Sequence, residues 1–159
     1  MIRQKLTPQQ ALQKLKQYCA YQERSHAEAK EKLYGYGLRT TEVEQLLSQL
    51  IEEDYLNEER FAIQFAGGKF RMKKWGRVKI QYELKLKKVS AYNIKKALSA
   101  IDEEQYHQTL QQLTAAKWKS LAAEQYINRM AKTTQYMLQK GFEQPLIQQV
   151  IMNIREKKD

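Results

Sequence analysis

The chain has 159 residues, of which 28 are Lys or Arg and 18 are Asp or Glu, so its formal net charge is +10 at neutral pH. This balance favours a nucleic acid, an acidic protein or an anionic membrane surface as partner. One cysteine, Cys19, leaves no internal disulfide, and no apolar run approaches the roughly 20 residues of a membrane helix. Both features favour a cytoplasmic protein. Because Gly and Pro are few and helix formers abound, we also expect it to be all-helical.

Three helix starts in the first third of the chain carry capping boxes, in which a Ser or Thr and a Glu or Gln three residues later satisfy free backbone amides. The pairs are Thr7 with Gln10, Ser25 with Glu28, and Thr41 with Glu44. The glycines of the YGYG sequence end the second of these helices, because glycine readily adopts the left-handed conformation of a helix C-cap. The sequence therefore predicts three helices before residue 57.

The apolar pattern around the YGYG turn returns twice along the chain. The first copy consists of Leu33, Gly37, Leu38, Val43, Leu46 and Leu47. At an offset of 51 residues, the second copy consists of Leu84, Lys88, Val89, Ile94, Ala97 and Leu98. At an offset of 104 residues, the third consists of Met137, Gly141, Phe142, Ile147, Val150 and Ile151. This period predicts an elongated all-α array of three tandem three-helix repeats, at residues 1–57, 58–104 and 105–159.

The second repeat carries the densest positive charge. In residues 69–88, nine side chains are Lys or Arg, Glu83 is the one acid, and Phe70 and Trp75 lie within the run. Such a segment is typical of contact with a polyanion or an acidic protein surface. For the two aromatics, packing at a turn between helices is the simpler interpretation, and stacking on a base is the alternative.

Two helices are predicted in this repeat, one on either side of Gly76. Asn57 can cap the first, whose apolar face consists of Phe61, Ala62, Phe65 and Ala66. The second run contains Val78, Ile80, Tyr82, Leu84 and Leu86, which alternate as in a strand. Because Lys, Glu and Leu dominate this run and no turn dipeptide or partner strand is nearby, we predict a helix.

The sequence also contains start signals for the remaining helices. Ser90 opens the last helix of the second repeat, and Asp102 opens the first helix of the third. We expect a bend or an interruption at residues 117–120, followed by a longer helix over residues 121–140. Gln144 and Pro145 begin the final helix, because Pro fits the first helical turn.

No motif for catalysis or cofactor binding is present in the sequence. There is no phosphate-binding glycine loop followed by Lys and Ser or Thr, and no dinucleotide fingerprint. His26 and His107 lie far apart and lack partners at ligand spacing, which disfavours a metal site. Cys19 lies on the apolar stripe of the first helix, as a buried small residue would. We predict no enzyme activity, no cofactor and no metal.

With the repeat and the central motif identified, the sequence from about Gln17 to Met152 resembles the RecX family of bacterial recombinase regulators. The most specific part is the run Leu56-Asn57-Glu58-Glu59-Arg60-Phe61-Ala62, followed by Phe65, Gly76, Ile80, Glu83, Leu84 and Lys87. The first repeat adds the pattern Arg24-Ser25-x-x-Glu28-x-x-x-Lys32-Leu33. Where the family usually has an arginine-rich segment, this chain has Gly67-Gly68-Lys69, and we expect the glycines to weaken the helix.

The resemblance implies a curved array of helices that binds the RecA filament on single-stranded DNA. It implies that the protein inhibits RecA ATPase, strand exchange and co-protease activity, in homologous recombination, DNA repair and the SOS response. The expected partners are the RecA filament and single-stranded DNA, bound directly or through RecA, with no membrane and with the chain as a monomer. The residues assigned to this contact are Lys69, Arg71, Lys73, Lys74, Trp75, Arg77, Lys79 and Lys85.

Two other functions fit the same basic surface. The first alternative is a basic nucleic-acid-binding helical module that has no recombinase partner and uses phosphate contacts alone. It predicts a steep fall of DNA affinity with salt and indifference to RecA. The second is a scaffold whose basic face binds an acidic protein and no DNA.

Overall fold

The computed structural model describes residues 5–157, and every regular element within that range is helical. The elements are α1 (Pro8–Tyr21), α2 (His26–Gly35), α3 (Thr40–Glu52), α4 (Glu58–Gly68), a π-helical turn (Lys69–Lys73), α5 (Arg77–Leu86), α6 (Ala91–Ser99), α7 (Glu103–Ser120), α8 (Tyr126–Gln139) and α9 (Gln144–Glu156). The prediction of an all-α protein is confirmed over these residues.

Capping chemistry sets the helix starts, with one correction. Two predicted boxes form with bonds of 3.0–3.2 Å, those of Thr7 with Gln10 and Ser25 with Glu28. For α3 the predicted pair of Thr41 and Glu44 is wrong. Glu42 instead accepts a hydrogen bond from the Arg39 N–H at 3.0 Å, and the helix begins at Thr40. A Glu three residues after Arg39 fixes this start two positions earlier than predicted.

The same turn ends one helix in each copy of the apolar pattern. The turn residues Gly37, Lys88 and Gly141 have φ angles of 83°, 62° and 94°. Each of their amides donates to the carbonyl three residues earlier at 2.9 Å. In the second copy the next amide, that of Val89, donates to the Leu84 carbonyl at 3.1 Å, and the third copy has the matching bond at 3.2 Å. These bonds define a Schellman motif, in which Lys88 holds the left-handed conformation that suits glycine.

The apolar positions of the repeat form the helix contacts. Nine equivalent residues, three from each copy, are at most 6% exposed: Leu33, Leu38, Val43, Leu84, Val89, Ile94, Met137, Phe142 and Ile147. In each copy the first two of these flank the left-handed turn, where a Schellman motif commonly brings two apolar side chains together. The predicted repeat therefore corresponds to one helix–turn–helix packing pattern used three times.

Helix α5 explains how an alternating sequence can be helical. Ile80 and Leu84, which are four residues apart, are fully buried. Val78, Tyr82 and Leu86 are 52%, 61% and 59% exposed. Because residues four apart share one face of a helix, the alternating apolar residues form one inward row and one outward row. The rejection of a strand is confirmed.

One connection in the third repeat differs from the prediction. Helix α7 continues through Ser120, and α8 does not begin until Tyr126, so no helix starts at Leu121. Turn bonds fill the interval, with the Leu121 N–H donating to the Trp118 carbonyl at 3.2 Å. The expected interruption is therefore present, but it lies at residues 121–125 instead of 117–120, and no Gly or Pro in residues 117–125 marks its exact position.

The described residues divide into two compact units. The first runs through Phe65 and includes Leu84–Ala97, and its core lies among α1, α2 and α3. The second comprises Ala66–Glu83 and the residues from Leu98 onward, with its core among α7, α8 and α9. The fully buried side chains of the second unit include Tyr106, Leu110, Met137, Phe142, Ile147 and Ile151. The predicted repeat boundaries at residues 57/58 and 104/105 stay predictions.

The requirement for a left-handed backbone at Lys88 can be tested by substitution. We expect Lys88→Gly to raise the free energy of unfolding by about 1 kcal/mol, because glycine carries no steric cost at a positive φ. The matched control is Lys85→Gly, which lies inside α5 and should lower the free energy of unfolding by about 1 kcal/mol. Urea titration followed by circular dichroism measures both. An equal decrease in the free energy of unfolding of the two variants would show that position 88 does not need the left-handed conformation.

Candidate functional site

Most of the predicted contact residues lie on one connection in the second unit. We call residues 69–79 the basic segment: it comprises the π-helical turn, the linker 74–76 and the start of α5. It contains no acid, and its basic residues are Lys69, Arg71, Lys73, Lys74, Arg77 and Lys79. Gly67 and Gly68 do not end the preceding helix, because α4 includes both and leads directly into the π-helical turn. Whether they weaken α4 stays a prediction.

Lys74 redirects the chain after the π-helical turn. Its backbone is left-handed, with φ 57° and ψ 43°, and its N–H donates to the Phe70 carbonyl at 3.0 Å. The Trp75 N–H donates to the Lys69 carbonyl at 3.3 Å. A left-handed residue other than glycine costs about 1–2 kcal/mol, so its surroundings must impose this conformation.

The base of the basic segment is a close backbone contact between Gly76 and the turn that joins α8 to α9. The Gly76 N–H donates to the Lys140 carbonyl at 2.8 Å, and the Val78 N–H donates to the Gly141 carbonyl at 2.9 Å. A Cβ atom on Gly76 would overlap the Gly141 carbonyl, and one on Gly141 would overlap Lys79. Two glycines are therefore required for the start of α5 to lie against this turn.

Arg77 anchors the basic segment to Glu103 and Tyr106 of α7. Its guanidinium lies 2.7 Å from the Glu103 carboxylate and 4.0 Å from the centre of the Tyr106 ring, and the Arg77 side chain is only 16% exposed. The Arg77 N–H donates to the Tyr106 hydroxyl at 2.9 Å, and that hydroxyl donates to Glu143. Burial, and then the bond to Glu143, raises the pKa of Tyr106, so the hydroxyl keeps the proton that it donates.

Several side chains of the basic segment face solvent. Arg71, Lys73 and Lys74 are exposed. The half-buried Trp75 lies between two lysines, with the Lys69 and Lys79 ammonium groups 5.2 Å and 4.7 Å from its ring centre. The structure therefore brings together three exposed cations and one stack of cations on an indole.

Other predicted residues have different positions. Phe70 is 5% exposed and packs on Tyr106 with ring centres 5.6 Å apart, which supports the packing interpretation for that aromatic. Lys85 is exposed on the part of α5 that belongs to the first unit. Gly141 and Tyr106 were not predicted as supports of the basic segment, because their contacts join residues far apart in sequence.

The conspicuous motif at residues 56–62 is structural. Leu56 and Ala62 are at most 1% exposed, and Phe61 is 5% exposed. Asn57 caps α4 by accepting from the Arg60 N–H at 2.9 Å. The Arg60 guanidinium bonds to Glu23 at 2.8 Å and to Asp54 at 3.1 Å. The motif therefore packs and bonds within the first unit.

Glu58 of this motif joins α4 to the start of α6. It accepts hydrogen bonds from the Ser90 N–H at 3.0 Å and from the Asn93 amide at 2.7 Å. Burial alone would raise the pKa of Glu58, but the bonds from Ser90 and Asn93 outweigh it and hold this pKa below its ordinary value of 4.5.

Residues 5–157 offer neither a cluster of metal ligands nor a membrane-spanning helix. No group of three or more His, Cys, Asp or Glu side chains in that range is placed to hold a metal ion. No helix there is both long and apolar enough to cross a membrane.

Comparison with known families gives two matches along this chain. Residues 57–98 match the family model described as RecX, second three-helix domain, and residues 103–151 match RecX, third three-helix domain. The basic segment lies wholly within the first of these matches.

Similar proteins and structures agree with this assignment. The regulatory protein RecX of Oceanobacillus iheyensis is 25% identical over 142 residues, which cover 89% of this chain and 52% of the relative. The regulatory protein RecX of Bacillus cytotoxicus is 23% identical over 142 residues, covering 89% and 53%. The chain thus spans about half the length of the curated relatives it matches.

Two crystal structures share the fold. That of RecX from Lactobacillus salivarius superposes with a TM-score of 0.85 at 20% identity, covering 93% of this chain and 96% of that one. A second, of a regulatory protein RecX, gives a TM-score of 0.81 at 19% identity, covering 90% and 70%. At these identities the comparison establishes the architecture of helices.

The close contact at Gly76 predicts that two glycine-to-alanine substitutions have opposite effects on stability. We expect Gly76→Ala to lower the free energy of unfolding by about 1–3 kcal/mol, because the methyl group meets backbone that cannot move aside. Gly68→Ala is the control, since a Cβ there has nothing within 4 Å and its φ of −64° is helical. It should raise stability by about 0.5–1 kcal/mol. Thermal unfolding of the two variants distinguishes them, and equal effects would rule out the close contact.

The depressed pKa of Glu58 predicts a pH dependence. The carboxylate contributes stability in full above pH 4.5, its ordinary value, and this contribution is lost as the pH falls through the lower pKa of the folded state. We expect Glu58→Gln to be less stable than the parent by about 0.5–1 kcal/mol at neutral pH, with the difference shrinking as the solution is acidified.

Glu59→Gln is the control for this measurement. Glu59 lies 3.5 Å from Lys96, and both side chains are almost half exposed, so its replacement should change stability by about 0.3 kcal/mol or less. Chemical unfolding at a series of pH values measures both variants. A loss in Glu58→Gln that did not vary with pH would mean that the charge of Glu58 contributes nothing.

Proposed function

The chain belongs to the RecX family, and we propose that it regulates the RecA filament on single-stranded DNA by inhibiting its ATPase, strand exchange and co-protease activity. The relatives in this family bear the name of a regulatory protein. The observation that carries the proposal is the set of exposed cations at Arg71, Lys73 and Lys74, held on a fixed base within the second three-helix domain.

The electrostatics of the segment suit such a target. A protein filament on DNA presents phosphates together with the carboxylates of its subunits. Six basic residues in 69–79 with no acid among them produce a local field that steers association with either group. The affinity should therefore fall with salt, and more steeply where phosphates are contacted.

The predicted contact residues have different roles in this proposal. Arg71, Lys73 and Lys74 are the direct contacts because their side chains are exposed. The half-buried Trp75 ring, with its two lysines, offers a flat face beside these cations. Arg77 supports the segment through Glu103 and does not reach the partner.

The experiment that tests the function is a titration of the single-stranded-DNA-dependent ATPase of the cognate RecA with this protein. Binding of the protein to the same DNA without RecA is measured in parallel. We expect inhibition well below the protein concentration that saturates bare DNA. No effect on RecA, together with ordinary salt-dependent DNA binding, would replace the proposal with that of a general nucleic-acid-binding module.

Charge reversal of the exposed cations tests the contact. The variant with Arg71→Glu, Lys73→Glu and Lys74→Glu should need on the order of tenfold more protein for half-inhibition of the ATPase, because attraction becomes repulsion. Its circular dichroism should match that of the parent, since all three side chains are exposed. Arg77 is left unchanged, because a carboxylate there would face Glu103 and would test folding instead of binding.

The control carries the same change of formal charge elsewhere. It combines Lys5→Glu, Lys14→Glu and Lys30→Glu, three exposed lysines of the first unit. We expect it to inhibit nearly as well as the parent. Equal losses in both variants would mean that net charge alone drives the effect, and full inhibition by the folded segment variant would exclude these residues as contacts.

A further inference from the structure

The outward face of α5 carries apolar side chains that the fold does not use. Val78 and Tyr82 are 52% and 61% exposed and lie one helical turn apart on the same face. The opposite face supplies the packing, because Ile80 is fully buried. Lone exposed apolar residues are ordinary, but here two of them adjoin each other on the helix that begins within the basic segment.

Cations and an indole border this face. Lys79 follows Val78 on α5, and its ammonium group lies over the ring of Trp75 at 4.7 Å. Lys69 lies over the same ring at 5.2 Å. Positive charge therefore borders the apolar pair at its Val78 end, while Glu83 follows Tyr82 at the other end.

The composition of this face distinguishes between a nucleic acid and a protein as the molecule it meets. Phosphates are recognised by cations and hydrogen-bond donors, and bases are recognised by stacking or by polar edges. Tyr82 could stack on a base, but the Val78 side chain has neither a donor nor a π face. Aliphatic and aromatic side chains with a charged border are typical of protein–protein interfaces, where an apolar centre is surrounded by a polar rim.

We infer that the outward face of α5, formed by Val78 and Tyr82 with Lys79 at its edge, docks on a protein surface that has an apolar centre and a rim of carboxylates. The inference rests on the proposed function, since that surface belongs to the protein part of the filament. It assigns protein recognition to α5 and leaves Arg71, Lys73 and Lys74 to make charge contacts.

The test separates protein binding from DNA binding. The variant Val78→Gln, Tyr82→Gln removes the apolar groups, keeps the net charge and suits a helix. Its binding to DNA-free cognate RecA and to a bare single-stranded oligonucleotide is measured separately by fluorescence anisotropy. We expect affinity for RecA to fall on the order of tenfold and affinity for the oligonucleotide to stay within about twofold.

The matched control is Ile127→Gln, Met152→Gln, two apolar residues of α8 and α9 that are 74% and 50% exposed. It should bind RecA as the parent does. Parallel losses for RecA and the oligonucleotide in the α5 variant would show that this face contacts DNA, and unchanged RecA binding would also overturn the docking. If charge reversal at Arg71, Lys73 and Lys74 still relieves inhibition, the proposed function survives that result. If the parent protein has no effect on RecA, both the proposed function and the docking inference are wrong.

Discussion

The contact between Gly76 and Gly141 is the constraint on which the candidate site depends. The first amides of any helix lack partners within the helix. At the start of α5, carbonyls of the turn between α8 and α9 accept from the Gly76 and Val78 amides. The third repeat thereby caps a helix of the second. This arrangement is possible because neither glycine has a side chain, so the two backbones approach to hydrogen-bonding distance.

Local chemistry explains why so much of the fold could be predicted. The capping boxes and the glycine turns each depend on residues within five positions of one another, and the repeat depends on the apolar pair that flanks a Schellman turn. Where the sequence offered no such signal, the predicted boundaries were displaced. The interruption after α7 was expected at residues 117–120 and lies at 121–125, because neither Gly nor Pro marks its position. The start of α3 was misplaced because two acidic residues, Glu42 and Glu44, both stood at plausible spacing.

The candidate site could be predicted only in part, for the same reason. Its charge is visible in the sequence, but the role of each cation is set by distant partners. Arg77 and Lys73 look alike in the sequence, yet Glu103 and Tyr106 engage the first, while the second has an exposed side chain. The 56–62 motif shows the converse, since Leu56 and Arg60 are conspicuous in the sequence and serve the packing of the first unit. In this chain, these residues of the family signature therefore mark packing within the first unit.

The two left-handed lysines differ in what their conformation achieves. Lys88 occupies a turn that two glycines fill in the other copies, so the repeat dictates its geometry. Lys74 has no counterpart among those repeat turns, and its left-handed backbone allows only three residues to join the π-helical turn to α5. Cations on such a short, hydrogen-bonded connection have less backbone freedom to lose on binding than cations on a long loop. In the proposed complex, the hydrogen bonds that already order this connection would therefore reduce the conformational cost of binding.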